Sequence, residues 1–475
     1  MPAHKLPNIL FILTDDHAAH AISSYGSRIN KTPQIDRLAQ EGMRLENCFC
    51  TNAICTPARA SILTGQYGHV NGVLGNGDTL DGRKPDLLQK LLGSSGYQRA
   101  LFGKWHLGHG GHADPSGFDH TSILRDHGSF TNPLLIEQGI ERQYKGYLTD
   151  ILTDHSIDWL SARDRNRPFF LMLAHKAPHR PFVPSARQNV RYRDRNIAEP
   201  STLFDDYANR SRAARNATMR IGRDLNSDDL KETPPEELCG EDLTRWNYQR
   251  FIKDYVRCCD DLDESTGRLL DYLRREGIEQ NTIVIYTSDH GFFLGDHGWF
   301  DKRFMYEPSL RIPFLIRYPA EIGAGSVSRQ IVANIDFAPT LLDYAGHPVP
   351  EVMQGRTARS LFRGDAPEDW PQSLYYRYWL HHDVSHRVCA HYGVRTDRYK
   401  LIHYYGRGLH CRGAGKEQTP PEWELFDLEL DPDELHSLHQ NPEYAPILGK
   451  LEAELARLQH FYRDHPEPSS TPTHG

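Results

Sequence analysis

No stretch of this 475-residue chain is apolar for long enough to span a bilayer, so a membrane-embedded role is not expected. A positive balance is missing too. The formal charge is −8 at pH 7, which argues against a protein that grips a nucleic-acid backbone. The eight cysteines, at 48, 50, 55, 239, 258, 259, 389 and 411, show no zinc-ligand spacing, and the vicinal pair Cys258-Cys259 makes a poor disulfide framework. A reduced compartment is the expectation. Met1-Pro2-Ala3-His4-Lys5 carries no secretory pattern, and the apolar run from Asn8 to Leu13 is short and meets Asp15 and Asp16 at once. A cytoplasmic location is expected for the chain as it stands, and a periplasmic or secreted one if its N-terminus has been trimmed. Internal repeats and low-complexity tracts are absent.

What is present is ordinary in bulk and unusual in pattern. Hydrophobic residues at 38% and charged residues at 25% suit a globular protein with a large core. Asn8 to Leu13, Phe169 to Ala174 and Thr282 to Tyr286 are wholly or largely apolar runs, the signature of strands buried on both faces. Gln98 to Phe102 reads as a fourth strand. Between them, Thr32-Pro33 opens a helix that closes at Gly42. Further helices are expected over Pro85 to Leu92, Tyr147 to Ala162 and about Leu243 to Arg275. Residues 184–240 are polar, Arg- and Asp-rich and weakly periodic, and read as a long surface excursion. After Pro339 the character shifts. Tyr-rich, partly alternating runs at Ser373 to Trp379, Cys389 to Arg395 and Tyr399 to Tyr405, with Trp423 to Leu428, suggest a small antiparallel sheet. An amphipathic helix from Pro442 to about Tyr462 follows, and Pro466 to Gly475 should fray. The expected fold is α/β, with a large, mostly parallel or mixed sheet flanked by helices in residues 1–360. A smaller α+β domain around an antiparallel sheet is expected in 361–475.

Ligands of open α/β sheets bind beyond the carboxyl ends of the strands. The four candidate strands end in Asp15/Asp16, Lys104/His106, His175/His179 and Asp289/His290. One such ending is usually a solvated turn; four on one rim suggest a site. Three carboxylates converging there would repel one another, and a hard divalent cation with oxygen ligands would relieve them, Ca²⁺ tolerating an irregular cage better than Mg²⁺.

Cys55-Thr56-Pro57-Ala58-Arg59, continuing to Leu63-Thr64-Gly65, is the densest stretch. Pro57 suits the first position of a helix and Gly65 its left-handed end, which puts Cys55 just ahead of a helix N-terminus that favours an anion or thiolate. Arg59 lies one turn on, on the same face.

Cys-x-Pro-x-Arg followed by Leu-Thr-Gly resembles the signature of the type I sulfatases, an alkaline-phosphatase-like superfamily; Ala58 stands where Ser is commoner. The resemblance implies oxidation of Cys55 to Cα-formylglycine by a formylglycine-generating enzyme, the hydrate attacking sulfur while Arg59 holds it in place. It implies Ca²⁺ on Asp15, Asp16, Asp289 and His290, the last a less usual ligand for that ion. Lys104 and His106 resemble the family's Lys-x-His, one binding sulfate and the other expelling it to regenerate the aldehyde. His179 resembles the histidine that protonates the leaving group, and Lys302 the later sulfate-binding lysine. Further motifs (His175 to Pro181, Gly146 to Asp150, Ala390 to Thr396 and Glu424 to Asp427) are similar to bacterial N-acetylglucosamine-6-sulfatases, which act on glycosaminoglycan or mucin sugars. That similarity makes His175, His386, Arg387, His391 and Arg395 candidate sugar contacts, and the implied substrate a small sulfated sugar or oligosaccharide. Two rivals stand beside this reading. One is another hydrolase of the superfamily, acting on aryl or alkyl sulfates or on phosphonate or phosphate monoesters; the other is a non-catalytic binding protein on the same scaffold.

Overall fold

The computed structural model describes residues 5–465; the expected fraying of Pro466 to Gly475 lies outside the described residues. Ten strands form one sheet: β1 (Asn8–Thr14), β2 (Met43–Leu45), β3 (Gln98–Lys104), β4 (His120–Leu124), β5 (Leu134–Glu137), β6 (Ile140–Gln143), β7 (Phe169–Ala174), β8 (Thr282–Ser288), β9 (Phe314–Arg317) and β10 (Ser326–Ser328). Their order is β10-β2-β9-β8-β1-β7-β3-β4-β5-β6. The adjacent strands β8, β1, β7, β3 and β4 are all parallel, whereas β9 runs antiparallel to β8, and β5 to β4. The four strands read from sequence are therefore immediate neighbours with a common direction. Their registers end together, Thr14 opposite Ser288 and Leu13 and Gly103 both opposite Ala174.

Alternation along β1 shows why the run is apolar throughout. Ile9, Phe11 and Leu13 enter one core and Leu10 and Ile12 another, on opposite faces of the sheet. On the second face lie α1 (Pro33–Glu41) and, further along the chain, the helix Leu148–Ala162 and the carboxyl half of the helix Gly240–Arg275, through Leu38, Leu152 and Leu269. On the first lie α2 (Cys55–Thr64) and α3 (Leu88–Ser94), through Ile62 and Leu92. We number the two long helices α4 (Leu148–Ala162) and α5 (Gly240–Arg275). A second sheet, of β11 (Ser373–Tyr378), β12 (His391–Thr396), β13 (Tyr399–Tyr404) and β14 (Glu422–Asp427), is antiparallel in chain order. Its Tyr375, Val394 and Leu401 join the first core, with Leu451, Leu455 and Leu458 of α6 (Ala445–Phe461).

Four local expectations are corrected. The third helix begins at Leu88 rather than Pro85, with Leu87 as its N-cap. Cys55 is the first residue of α2 and Pro57 its third, because Ile54 is the extended N-cap. The segment 184–240 is not a surface excursion alone: Ala214, Ala217, Met219 and Ile221 are fully buried in the first core. Its apolar residues are isolated ones, which carry no period to read. Thr32 also precedes α1 without capping it by its hydroxyl. The free amides of Gln34 and Ile35 donate instead to the Asp263 carboxylate of α5, at 2.9 and 2.8 Å.

Gly103, one residue before Lys104, has φ of 105°, and a Cβ there would sit 2.0 Å from the Ala174 carbonyl oxygen of β7. Gly103→Ala is expected to cost about 2–4 kcal/mol, because positive φ and a backbone clash coincide. Denaturant unfolding of the two proteins measures it, and an unchanged midpoint would show that the strands part easily there.

Candidate active site

The site assembles where the parallel strands end. Asp15 and Asp16 follow β1, Lys104 closes β3, His179 lies beyond β7, and Asp289 and His290 follow β8. Facing them is the amino end of α2, all ten of whose residues are buried. Arg59 is 1% exposed and spans three strand ends. Its Nε donates to Asp289 Oδ2 at 3.0 Å, its Nη2 to Asp15 Oδ2 at 3.2 Å, and its Nη1 to the Lys104 carbonyl at 2.7 Å. Cys55 Sγ, one turn earlier, is 3.4 Å from both Asp15 Oδ1 and His290 Nε2.

The lysines complete the charge pattern. Lys104 Nζ contacts Asp15 Oδ2, and Lys302 Nζ donates to Asp16 Oδ1 at 2.6 Å. Lys302 arrives on the short hairpin Phe293–Leu294 and Phe300–Asp301. Burial raises the Asp15 carboxyl, but Lys104, His179, Arg59 and Lys302 together hold it well below the carboxylate range. Asp16 is buried just as fully. Burial, reinforced by Asp15 and only partly opposed by Lys302, pushes it up to about 7. Asp16 also has positive φ, as has His106, which marks a backbone held by its surroundings.

Three histidines line one side. The His127 ring is 4.6 Å, centroid to centroid, from both His106 and His179. Burial, with Lys104 next, lowers His106 and His127 to about 2 and His179 well below its ordinary value. His179 Nε2 lies 3.7 Å from Asp16 Oδ2, and its Nδ1 donates to the Arg180 carbonyl at 2.7 Å. His127 escaped the sequence reading. It follows β4, a fifth parallel strand whose sequence His-Thr-Ser-Ile-Leu is half polar. The rule that strand ends carry the chemistry would have found it had that strand been recognised.

The remaining candidates separate. His386 is beside the site: its Nε2 is 3.3 Å from Asp301 Oδ2, next to Lys302, and its Nδ1 is 3.0 Å from Asp383. Arg387 points to Glu417 at the surface, at 2.8 Å. His175 is turned away from the rim toward Ser265 of α5, at 3.2 Å, because successive residues leaving β7 take opposite faces. His391 is fully buried, accepting from the Met305 amide at 3.1 Å and stacked against Phe304 and Tyr376. Arg395 grips Glu307 and lies over the Phe49 ring. His175, His391 and Arg395 are thus each buried and held by protein partners. Asp296 and His297 are held by His20 and by Asp205 and Thr202.

Two carboxylates of the donor set suit a hard cation, and the Cys55 thiol and His290 imidazole beside them do not. One ligand atom from each of Asp15, Asp16, Cys55 and His290 lies within 4.8 Å of the others. Asp16 Oδ2 is buried without a hydrogen-bond partner. His290 Nδ1 faces the Gly291 carbonyl at 2.9 Å, so it must donate, and this aims Nε2 at the carboxylates. Asp289 stands at the edge of the group, its Oδ2 taken by Arg59. All eight cysteines are free thiols.

The sulfatase family model matches residues 7–347, and a second, described as N-sulphoglucosamine sulphohydrolase, C-terminal, matches 295–461. An N-acetylglucosamine-6-O-sulfatase of Bacteroides thetaiotaomicron is 40% identical, over 97% of this chain and 88% of its own. An arylsulfatase of Clostridium perfringens is 26% identical, over 94% of this chain and 92% of its own. A solved structure of a protein in complex with its substrate D-glucosamine-2-N,6-O-disulfate superimposes with a TM-score of 0.91 at 40% identity, covering 98% of this chain and 100% of that one.

The cluster predicts its own response to a divalent cation. Burial raises Asp16 to about 7; at His290 burial pulls down most strongly of any one cause, but Asp289 and Cys55 together overcome it and Lys302 and lift the ring to about 9. Both folded values exceed the unfolded ones, so the cation-free protein draws stability from these protons below about pH 4 and pH 6.5 respectively. It loses that stability as pH climbs through 7 and 9. A cation displaces the same protons, so its stabilising effect grows with pH. Thermal unfolding with and without chelator is expected to show a larger cation-induced rise in Tm at pH 8 than at pH 5.5, absent in Asp16→Ala. A rise that is flat or falls with pH would contradict the assignment.

Proposed function

This chain belongs to the sulfatase family and is a sulfuric ester hydrolase, and we propose from that premise that it removes the 6-sulfate of N-acetylglucosamine or glucosamine residues in a sulfated carbohydrate. The observation that carries the reading is the 40% identity over nearly the whole chain to an N-acetylglucosamine-6-O-sulfatase, joined to a rim that gathers Cys55, Arg59, Lys104, His179 and Lys302.

Residue 55, oxidised to formylglycine by a modifying enzyme, would supply a hydrated aldehyde as nucleophile, and Ca²⁺ held by Asp15, Asp16, Asp289 and His290 would supply positive charge beside it. The chain's own residues do the rest. Arg59 fixes Asp15 and Asp289 relative to each other, since one guanidinium binds both. Lys104 is held on Asp15 and Lys302 on Asp16, and two fixed ammonium groups suit the oxygens of a sulfate ester whose charge grows as its S–O bond breaks. His179 Nε2 borders Asp16; once the negative charge of a bound sulfate ester offsets Lys104 and Lys302, the ring takes up a proton at Nε2 and passes it to the departing sugar oxygen. His106 Nδ1, 3.5 Å from Thr56 Oγ1, stands beside residue 55 to accept its proton as sulfate leaves.

Peptide mass measurement across Asn52 to Arg59, on protein made in a host with the modifying enzyme, is expected to show the aldehyde in place of the thiol. Cys55→Ala should lower turnover of a 6-sulfated N-acetylglucosamine by roughly 10³-fold or more. His179→Ala should cost about 10²–10⁴-fold with that sugar and far less with an aryl sulfate, whose phenolate leaves without a proton. Equal losses on both would remove His179 from the acid role, and faster turnover of an aryl phosphonate than of an aryl sulfate would move the chain to the phosphonate hydrolases.

A further inference from the structure

Away from the rim, a cavity of about 1000 Å³ opens between residues 183–199, residues 231–232 and the amino half of α5. Six cations line it: Arg193, Lys231, Arg245, Arg250, Lys253 and Arg257. They face three carboxylates, Glu199, Glu232 and Asp254, so the groove is formally positive in a chain whose formal charge is −8. The pairing inside it is uneven. Asp254 serves Lys231 at 2.6 Å, Arg257 at 2.7 Å and, with Glu232, Arg250 at 3.4 Å, while Glu199 is taken by Arg245. Arg193 and Lys253 form no ion pair among the described residues; the Lys253 ammonium reaches only the Arg193 carbonyl, at 3.5 Å. Burial first, then Arg257 and Arg250, lowers Lys253, with Asp194 opposing. The partly exposed Trp246 adds an aromatic face to the lining.

The groove shares a wall with the reaction site. Val183 and Pro184 line it, and His179 lies four residues before Val183 on the same loop. Lys231 donates to the Phe182 carbonyl at 2.6 Å, and Arg180 of that loop is clamped by Asp229 and lies 3.6 Å from Asp301. One face of the loop thus presents His179 to the rim, and its continuation borders the cations.

We propose that this groove is a second, non-catalytic binding site for a sulfated oligosaccharide, holding the chain that continues from the sugar residue at Cys55. The inference rests on the carbohydrate-sulfate reading above and narrows it, since an extended sulfated chain becomes the preferred substrate. Spaced cations suit the spaced sulfates of such a chain, and a lone aromatic ring offers an apolar plane to a pyranose face. A nucleic acid fits worse: one ring gives no row of stacking platforms, and the acidic remainder of the surface repels a long polyphosphate.

The test uses the full-length protein and measures binding without turnover, by titrating a defined, sulfated heparin octasaccharide against its desulfated counterpart. Arg193→Glu/Lys253→Glu is expected to weaken sulfated-octasaccharide binding by about 10-fold or more and to flatten its salt dependence. Hydrolysis of the 6-sulfated monosaccharide should be unchanged in the same variant, and Trp246→Ala should weaken binding without altering the salt slope. The proposal is overturned if the double variant binds the sulfated octasaccharide as the parent does, or if a single-stranded DNA of equal charge binds the parent as tightly. Failure of the sulfatase reading looks different: the monosaccharide would release no sulfate while octasaccharide binding still responded to the variants.

Discussion

A buried arginine holding three strand ends together is the constraint on which this molecule depends. Arg59 has almost no exposure to water, and a guanidinium placed there without anions would be prohibitively costly. Asp15 and Asp289 compensate it, and the Lys104 carbonyl takes its third edge. The reverse dependence is as strong. Without Arg59, Asp15 and Asp289 would face each other in a dry pocket, and the carboxyl ends of β1 and β8 would have no common partner. The whole of α2 is buried because its one charged residue is consumed in this way, so the helix can sit against the sheet with its amino end over the rim.

Balance is incomplete by construction. Asp15, Asp16 and Asp289 face Arg59, Lys104 and Lys302, yet Asp16 still climbs to about 7 while Asp15 is held well down. The difference is positional. Asp15 sits among several cations, whereas Asp16 meets Lys302 on one oxygen and turns its other oxygen into a buried space without a hydrogen-bond donor. That asymmetry favours a further positive charge near Asp16 and His290 over a simple ion-pair network. With a divalent ion there, the rim would carry excess positive charge, the condition under which an anionic ester is drawn in.

Much of this was legible because a parallel sheet writes itself plainly. Strands buried on both faces are continuous apolar runs, and Phe169–Ala174 matches the expected strand residue for residue. Because β8, β1, β7 and β3 are neighbours in parallel, residues far apart in sequence share a rim once their strands are recognised. The same logic failed where its premises failed. His127 was missed because β4 is short and half polar. His175 was included because strand ends were treated as a unit, although alternation sends it to Ser265. His391 and Arg395 lie in an antiparallel sheet rich in tyrosine, where polar and apolar character do not separate the faces. Only coordinates show that one braces Met305 and the other Glu307. Those anchors still serve the site at one remove, since Met305 and Glu307 follow Lys302 closely in sequence.

The histidine row closes the electrostatic argument. His106, His127 and His179 are all pushed toward the neutral form, by burial first and then by Lys104. The same cations that suit an anion therefore also keep protons off the imidazoles. A sulfate ester placed between Lys104 and Lys302 would screen that repulsion, and the imidazole nearest the leaving oxygen would become easier to protonate. Substrate charge and proton supply are coupled through the same lysines, so a neutral ligand of the same shape would fill the pocket without arming it. On the proposed reading, the two-cation rim discriminates by charge before any contact with the sugar is made.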